Sequence, residues 1–199
     1  MKIALLGGTG GCGSAFLEYA LAANHSLVLL ARTPSKVSQS HENLTILKGD
    51  GTSGDNVKDL CQGCDVVVCC AGSAPIMESL AENVVTACEI HKIDRCYFIT
   101  SLGMGGSSPT VRFILGCVVS WDNIHDCEAA DKIILDAGFT AIRPTELTDK
   151  GEPEGKYNAT DETGMGLGAI HKKDVGLFIF DEISNNEWGG KAVQLYKAK

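Results

Sequence analysis

The chain alternates between short apolar runs and longer stretches in which apolar residues recur every three or four positions. Lys2 to Leu6, Ser26 to Ala31, Asn43 to Leu47, Asp65 to Cys70 and Arg95 to Thr100 are runs of the first kind and read as strands. SLVLLA and DVVVCC are apolar without interruption, the pattern of strands covered on both faces. Gly11 to Ala23, Ser53 to Gln62, Pro75 to His91, Asp122 to Ala137 and Lys172 to Ile183 have helical spacing. In the third of these, Ile76, Leu80, Val84, Val85 and Cys88 fall on one face. Thr140 to Arg143 and Ala192 to Tyr196 add two short strands. Two stretches have no period. Gly103 to Pro109 is rich in Gly and Ser and reads as a loop. Thr148 to Gly168 is polar and Gly-rich, and reads as a long loop near the site, the kind of segment that serves as a lid.

Strands alternating with helices predict a parallel sheet with right-handed crossovers. The expected fold is therefore α/β: one Rossmann domain spanning residues 1–199, with a doubly wound, mostly parallel sheet and helices on both faces. Its expected strand order is 3-2-1-4-5-6, with a ligand lying across the strand ends beside strand 1.

Composition narrows the function. At 199 residues the chain can bury one sizeable core. Its net charge of −8 argues against a nucleic-acid surface, which needs a basic face. No apolar run is long enough to span a membrane, and no secretory signal is visible, so a cytoplasmic location is expected. The nine cysteines include Cys61 and Cys64 at CxxC spacing, but no second pair follows to complete a zinc site. They read as buried or incidental thiols, and no metal is expected.

The strongest chemical signal is the turn Gly7-Gly8-Thr9-Gly10-Gly11-Cys12-Gly13 between the first strand and the first helix. Gly7, Gly10 and Gly13 have the spacing of a dinucleotide fingerprint: one glycine for the turn, one for the pyrophosphate, one for helix–strand packing. The helix N-terminus then offers free N–H groups to the anion. Arg32 follows strand 2. An acidic residue there would suit the ribose hydroxyls of NAD, whereas an Arg suits the 2′-phosphate of NADP. Lys36 is placed to add a second cation. Asp50 and Gly51 follow strand 3, where the fold passes the adenine edge; an ordinary Asp-Gly turn is the alternative. The small residues Ala71, Gly72 and Ser73 follow strand 4 and leave room for the nicotinamide end. Ser101 follows strand 5, where a hydroxyl would face the reacting end; a turn or helix cap is its alternative.

Together these segments resemble the atypical short-chain dehydrogenase/reductases, in particular the NmrA-like and biliverdin-IXβ (flavin) reductase-like NAD(P)H-binding proteins. The resemblance runs through IALLGGTGGCGSAFLEYAL, LLARTPSK, ILKGDGTSGDNV, CDVVVCCAGS, CYFITS, ADKIILDAGFTAIRPTEL and IHKKDVGLFIFD. It implies NADP(H) as cofactor, with Gly7, Thr9, Gly10, Gly11 and Cys12 along the diphosphate. Arg32 and Lys36 would hold the 2′-phosphate, and Asp50 and Gly51 would border adenine. Ala71, Gly72, Ser73, Ser101 and Pro144 would lie toward the nicotinamide. Ser101 would be the active-site serine. One departure is plain. The Tyr-x-x-x-Lys pair of most short-chain reductases is absent between Ser101 and Gly138, where Asn123 and Cys127 take those places. His125 lies two residues from the Lys position, near where flavin-reductase-like members carry a His, and is the alternative catalytic candidate. Trp121 is a candidate to border the pocket.

The reading that follows is an NADPH-dependent oxidoreductase passing hydride to a flavin, quinone or similar planar acceptor, with protons taken from solvent. The alternatives are a non-catalytic NADP(H)-binding redox sensor or scaffold protein and, third, an epimerase or isomerase. The expected partner is a small-molecule acceptor rather than nucleic acid or membrane, and the expected state is a monomer or homodimer.

Overall fold

A computed structural model describes residues 1–72, 75–102, 104, 120–162 and 168–198. The elements run β1 (Lys2–Leu6), α1 (Gly11–Ala22), β2 (Ser26–Ala31), a 3-10 turn (Pro34–Lys36), β3 (Leu44–Lys48), α2 (Gly54–Cys61), β4 (Val66–Cys69), α3 (Met77–His91) and β5 (Cys96–Ile99). They continue with α4 (Trp121–Asp136), β6 (Thr140–Pro144), β7 (Leu147–Thr148), β8 (Tyr157–Thr160), β9 (Ile170–His171), α5 (Lys172–Asn185) and β10 (Ala192–Lys197). Among the described residues no helix is long and apolar enough to cross a membrane.

The main sheet has the order β3-β2-β1-β4-β5-β6-β10-β8. Its first six strands follow the expected Rossmann order, all parallel. Alternate residues of each strand feed two cores. Ala4, Leu6, Val67, Cys69 and Phe98 face the layer of α2, α3 and α4. Ile3, Leu5, Val66, Val68 and Tyr97 face the layer of α1 and α5. Both faces are therefore dry, which is why the strands read as unbroken apolar runs. Cys61, Cys64, Cys69, Cys88 and Cys96 are buried in the first core as small apolar side chains.

One expected loop is corrected. Residues 148–168 are not uniformly irregular: Tyr157–Thr160 forms β8, which pairs antiparallel with β10 at the sheet edge, Tyr157 opposite Lys197 and Thr160 opposite Gln194. Tyr157 also meets the Phe178 ring edge-on at 5.1 Å and donates to Asp181 Oδ2 at 2.6 Å. The segment YNAT has too few apolar residues to announce a strand. Its partner strand and the α5 face, both far along the chain, make it one. The expected loop at 103–109 lies outside the described residues apart from Met104.

Candidate functional site

The parallel strands all end at one edge of the sheet, and two adjoining cavities open there. The first, of about 270 Å³, is walled by Leu6, Gly7, Thr9, Gly10, Leu30, Ala31, Arg32, Gly49, Asp50, Gly51, Ala71 and Gly72, with Cys70, Ile76 and Leu80. The second, of about 360 Å³, is walled by Gly10, Gly11, Cys12, Cys70, Ala71, Gly72, Met77, Ile99, Thr100, Ser101, Cys127, Leu147 and Lys172. Gly10, Cys70, Ala71 and Gly72 belong to both, so the two form one cleft running from the end of β3 to the end of β5.

The glycine turn shows what each glycine is for. Gly7 has φ +81°, and a Cβ there would lie 2.3 Å from the backbone N of Ala71. A Cβ on Gly13 would lie 2.3 Å from the Gly7 carbonyl oxygen. Both are demanded by the fold itself. Gly10 is different. Its N–H donates to the Gly7 carbonyl at 3.0 Å, its φ of −87° suits any residue, and a Cβ would meet nothing nearer than 3.4 Å. The missing side chain at Gly10 serves no protein contact and leaves open space in the cleft. The first turn of α1 also has no capping side chain and no acidic residue. Its orphan N–H groups face the cleft with the positive end of the helix dipole. This cradle fits a diphosphate.

Along the first cavity, Arg32 is exposed at the end of β2 and forms part of the wall. Asp50 closes its own turn by accepting from the Thr52 N–H and hydroxyl, each at 3.0 Å. These hydrogen bonds, with a smaller contribution from Arg32, hold its carboxyl below the ordinary value. Asp50 is thus a turn residue that also lines the first cavity. Lys36 ends the exposed 3-10 turn and lines neither cavity.

Along the second cavity, Ser101 is half-buried and part of the wall. Its neighbour Thr100 is structural: its hydroxyl donates to Asp131 Oδ1 at 2.9 Å. Asp131 in turn takes two hydrogen bonds from Arg143, Nε at 3.0 Å and Nη2 at 2.6 Å. This buried triad ties β5, α4 and β6 together directly behind Ser101. Pro144 lies outside the lining; its carbonyl accepts from Leu102 N–H at 3.2 Å and so holds the Ser101 turn. The α4 helix turns Cys127 into the cavity and leaves His125 exposed, 6.3 Å from the ring of the exposed Trp121. Neither His125 nor Trp121 is among the described lining residues; His125, two residues from Cys127, points to another side of the helix. Asp126, between His125 and Cys127, caps α3 by accepting from Met77 N–H at 2.9 Å and Glu78 N–H at 3.0 Å. Burial pushes the Cys12 thiol up to about 12 and that of Cys127 up to about 11, so both present neutral S–H groups to the cleft. Ser73 lies outside the described residues.

Two features escaped the sequence reading. Asp131 was visible as a charge on the apolar face of its helix, next to Ala130 and one turn before Ile134. Lys172 was visible as a cation in the first turn of a helix, against the helix dipole.

Comparison with known proteins places the fold. The structure is similar to that of ChuY, an anaerobilin reductase from Escherichia coli O157:H7, with a TM-score of 0.85 and 20% identity over 100% of this chain and 98% of that one. It is also similar to a short-chain dehydrogenase/reductase from Veillonella parvula in complex with NADP, with a TM-score of 0.84 and 17% identity over 98% and 94%. A Rossmann-fold NAD(P)-binding family protein from Shigella flexneri matches at a TM-score of 0.79 and 22% identity over 98% and 92%. At these identities the likeness establishes the shared fold. Residues 7–186 match the family model described as NAD(P)H-binding, a span that begins at the glycine turn, and the chain belongs to that NAD(P)H-binding family.

Proposed function

We propose that this protein is an NADPH-dependent oxidoreductase that reduces a flavin, quinone or similar planar acceptor. The observation that carries the reading is the cleft itself. A phosphate cradle, Gly7 to Cys12, spans the junction of its two halves; a cation, Arg32, flanks the first, and the second is a mostly apolar chamber with one hydroxyl, Ser101, to spare. In this reading Gly7, Thr9, Gly10, Gly11 and Cys12 line the diphosphate, which takes the free N–H groups at the start of α1, and Arg32 takes the 2′-phosphate. Asp50 and Gly51 border adenine, while Ala71 and Gly72 leave room for the nicotinamide. When bound, the reduced cofactor supplies a hydride. Ser101 donates a hydrogen bond to the acceptor's carbonyl oxygen, where negative charge develops. Met77, Ile99 and Leu147 exclude water from the acceptor's flat face. Protons come from solvent, because no tyrosine is among the described residues lining either cavity.

That same lack of a tyrosine favours a second reading, a non-catalytic NADP(H)-binding redox sensor or scaffold. Following NADPH absorbance with FMN, quinones and biliverdin as acceptors separates the two. Turnover with at least one acceptor, reduced by Ser101→Ala, is expected. Tight NADPH binding without turnover on any of them sinks the reductase reading. The cofactor choice has its own test: Arg32→Ala should weaken NADPH at least tenfold and NADH less than twofold, as loss of a charge-assisted contact to one phosphate predicts. Equal losses overturn it.

A further inference from the structure

We propose that Lys172 is a specificity-determining residue, selecting acceptors that carry an anionic group by exchanging Asp149 for that group. The inference rests on the reading of the second cavity as the acceptor chamber.

Among the described residues of that chamber, Lys172 is the only charged one. Its place is fixed by the fold. β7 and β9 pair in parallel, with Leu147 opposite Ile170 and Thr148 opposite His171. The next residues on the two segments, Asp149 and Lys172, form an ion pair. The same register puts Leu147 and Lys172 together on the chamber wall. The lysine stem then crosses the start of α1, where a Cβ on Gly11 would lie 2.4 Å from Lys172 Cδ. The apolar stem packs on the glycine turn, and the ammonium reaches the rim.

Nothing in the helix asks for a cation there. Lys172 opens α5, where the dipole disfavours positive charge. His171 already caps the first turn by accepting from Lys173 N–H at 3.1 Å, and Asp174 supplies an acidic residue in the first turn. A local rule broken beside a cleft marks a functional position. The partner is exchangeable as well. The Asp149 side chain is 67% exposed and that of Lys172 is 30% exposed. Exposed pairs of this kind contribute little, so a better-buried anion displaces Asp149 readily. A chain of net charge −8 repels anions at long range, which leaves a local cation to recognise them. The chamber thus combines apolar walls for a flat ring with one cation at the rim for a carboxylate, sulfonate or phosphate arm.

The test compares matched ligands that differ only in the anion. Binding of FMN and riboflavin to the NADP⁺-loaded protein is read by flavin fluorescence, and 1,4-naphthoquinone is compared with its 2-sulfonate by competition. The wild type should favour the anionic member of each pair by roughly five- to tenfold. Lys172→Gln should bring the ratio close to one, and Asp149→Asn should raise it. A ratio unchanged by Lys172→Gln overturns the proposal. So does a fall in NADP⁺ affinity with no change in the ratio, which would make Lys172 a cofactor ligand. Failure to bind either flavin or either quinone also overturns it. Because the readout is binding, an inactive protein sinks the reductase reading and still decides the role of Lys172.

Discussion

The two halves of the cleft are built by different means. The half at β1, β2 and β3 is made of backbone: a left-handed glycine, a glycine packed on the turn before it, and a helix start left uncapped. The half at β5 and β6 is made of side chains brought from distant positions. Thr100, Asp131 and Arg143 meet behind Ser101, and Asp149 meets Lys172 at the rim. Backbone geometry is rigid and tolerates no substitution at its tight points. Side-chain networks are adjustable, yet leaving one member unpaired in a buried place is costly. The cleft thus joins a fixed backbone cradle to a chamber whose lining is adjustable.

The contrast can be broken at its strongest point first. Gly7→Ala forces an alanine into φ +81° with its Cβ 2.3 Å from backbone. It should cost about 3–5 kcal/mol and abolish NADPH binding together with much of the thermal stability. A melting temperature near that of the wild type would contradict the tight packing of the turn. Asp131→Ala leaves Arg143 buried without its partner and should cost about 3 kcal/mol or more in urea unfolding. The double change Asp131→Leu with Arg143→Met should cost less than Asp131→Ala alone, because no charge is then stranded. Equal or greater loss in the double variant would mean that packing, rather than the ion pair, holds this half.

A smaller effect lies in pH. Burial keeps the Cys12 thiol protonated up to about 12 in the folded chain, whereas a free cysteine ionises near about 8.5. The folded state therefore holds a proton that the unfolded state releases as pH rises. The stability is fully present below the unfolded value and is lost between the two values. At pH 10 the Cys12 contribution amounts to about 1–2 kcal/mol. Cys69, pushed up to about 12, and Cys127 act in the same direction. Cys12→Ala should shrink the loss of stability between pH 7 and pH 10, and an identical alkaline slope would refute the assignment. The sharpest comparison carries the smallest stability effect. Gly10→Ala meets only a 3.4 Å contact and should cost less than about 1 kcal/mol of stability. It should nonetheless weaken NADPH at least tenfold by filling the space over which the diphosphate lies. A variant that binds NADPH normally would remove Gly10 from the site.

Much of the first half was legible in the chain. Ser26–Ala31 and Lys2–Leu6 are strands with the boundaries their apolar runs mark, and the glycine spacing marks the turn. These signals are local, since burial on two faces writes itself into each strand separately. The second half was legible only in outline. Ser101 reaches the chamber, but His125 turns to solvent and Pro144 lies off the lining, as Lys36 does in the first half. A helix start set one residue earlier or later decides which of two neighbouring side chains faces a pocket, and periodicity does not resolve that.

The sequence by itself determined the Rossmann architecture, the glycine cradle and the cation at the end of β2. Each depends on residues within one or two elements. Only the tertiary structure decided that YNAT is a strand, that Asp131 grips Arg143 and that Lys172 stands at the chamber rim. Each of these depends on partners far apart in the chain, and their meeting is set by strand register and helix packing rather than by any local preference.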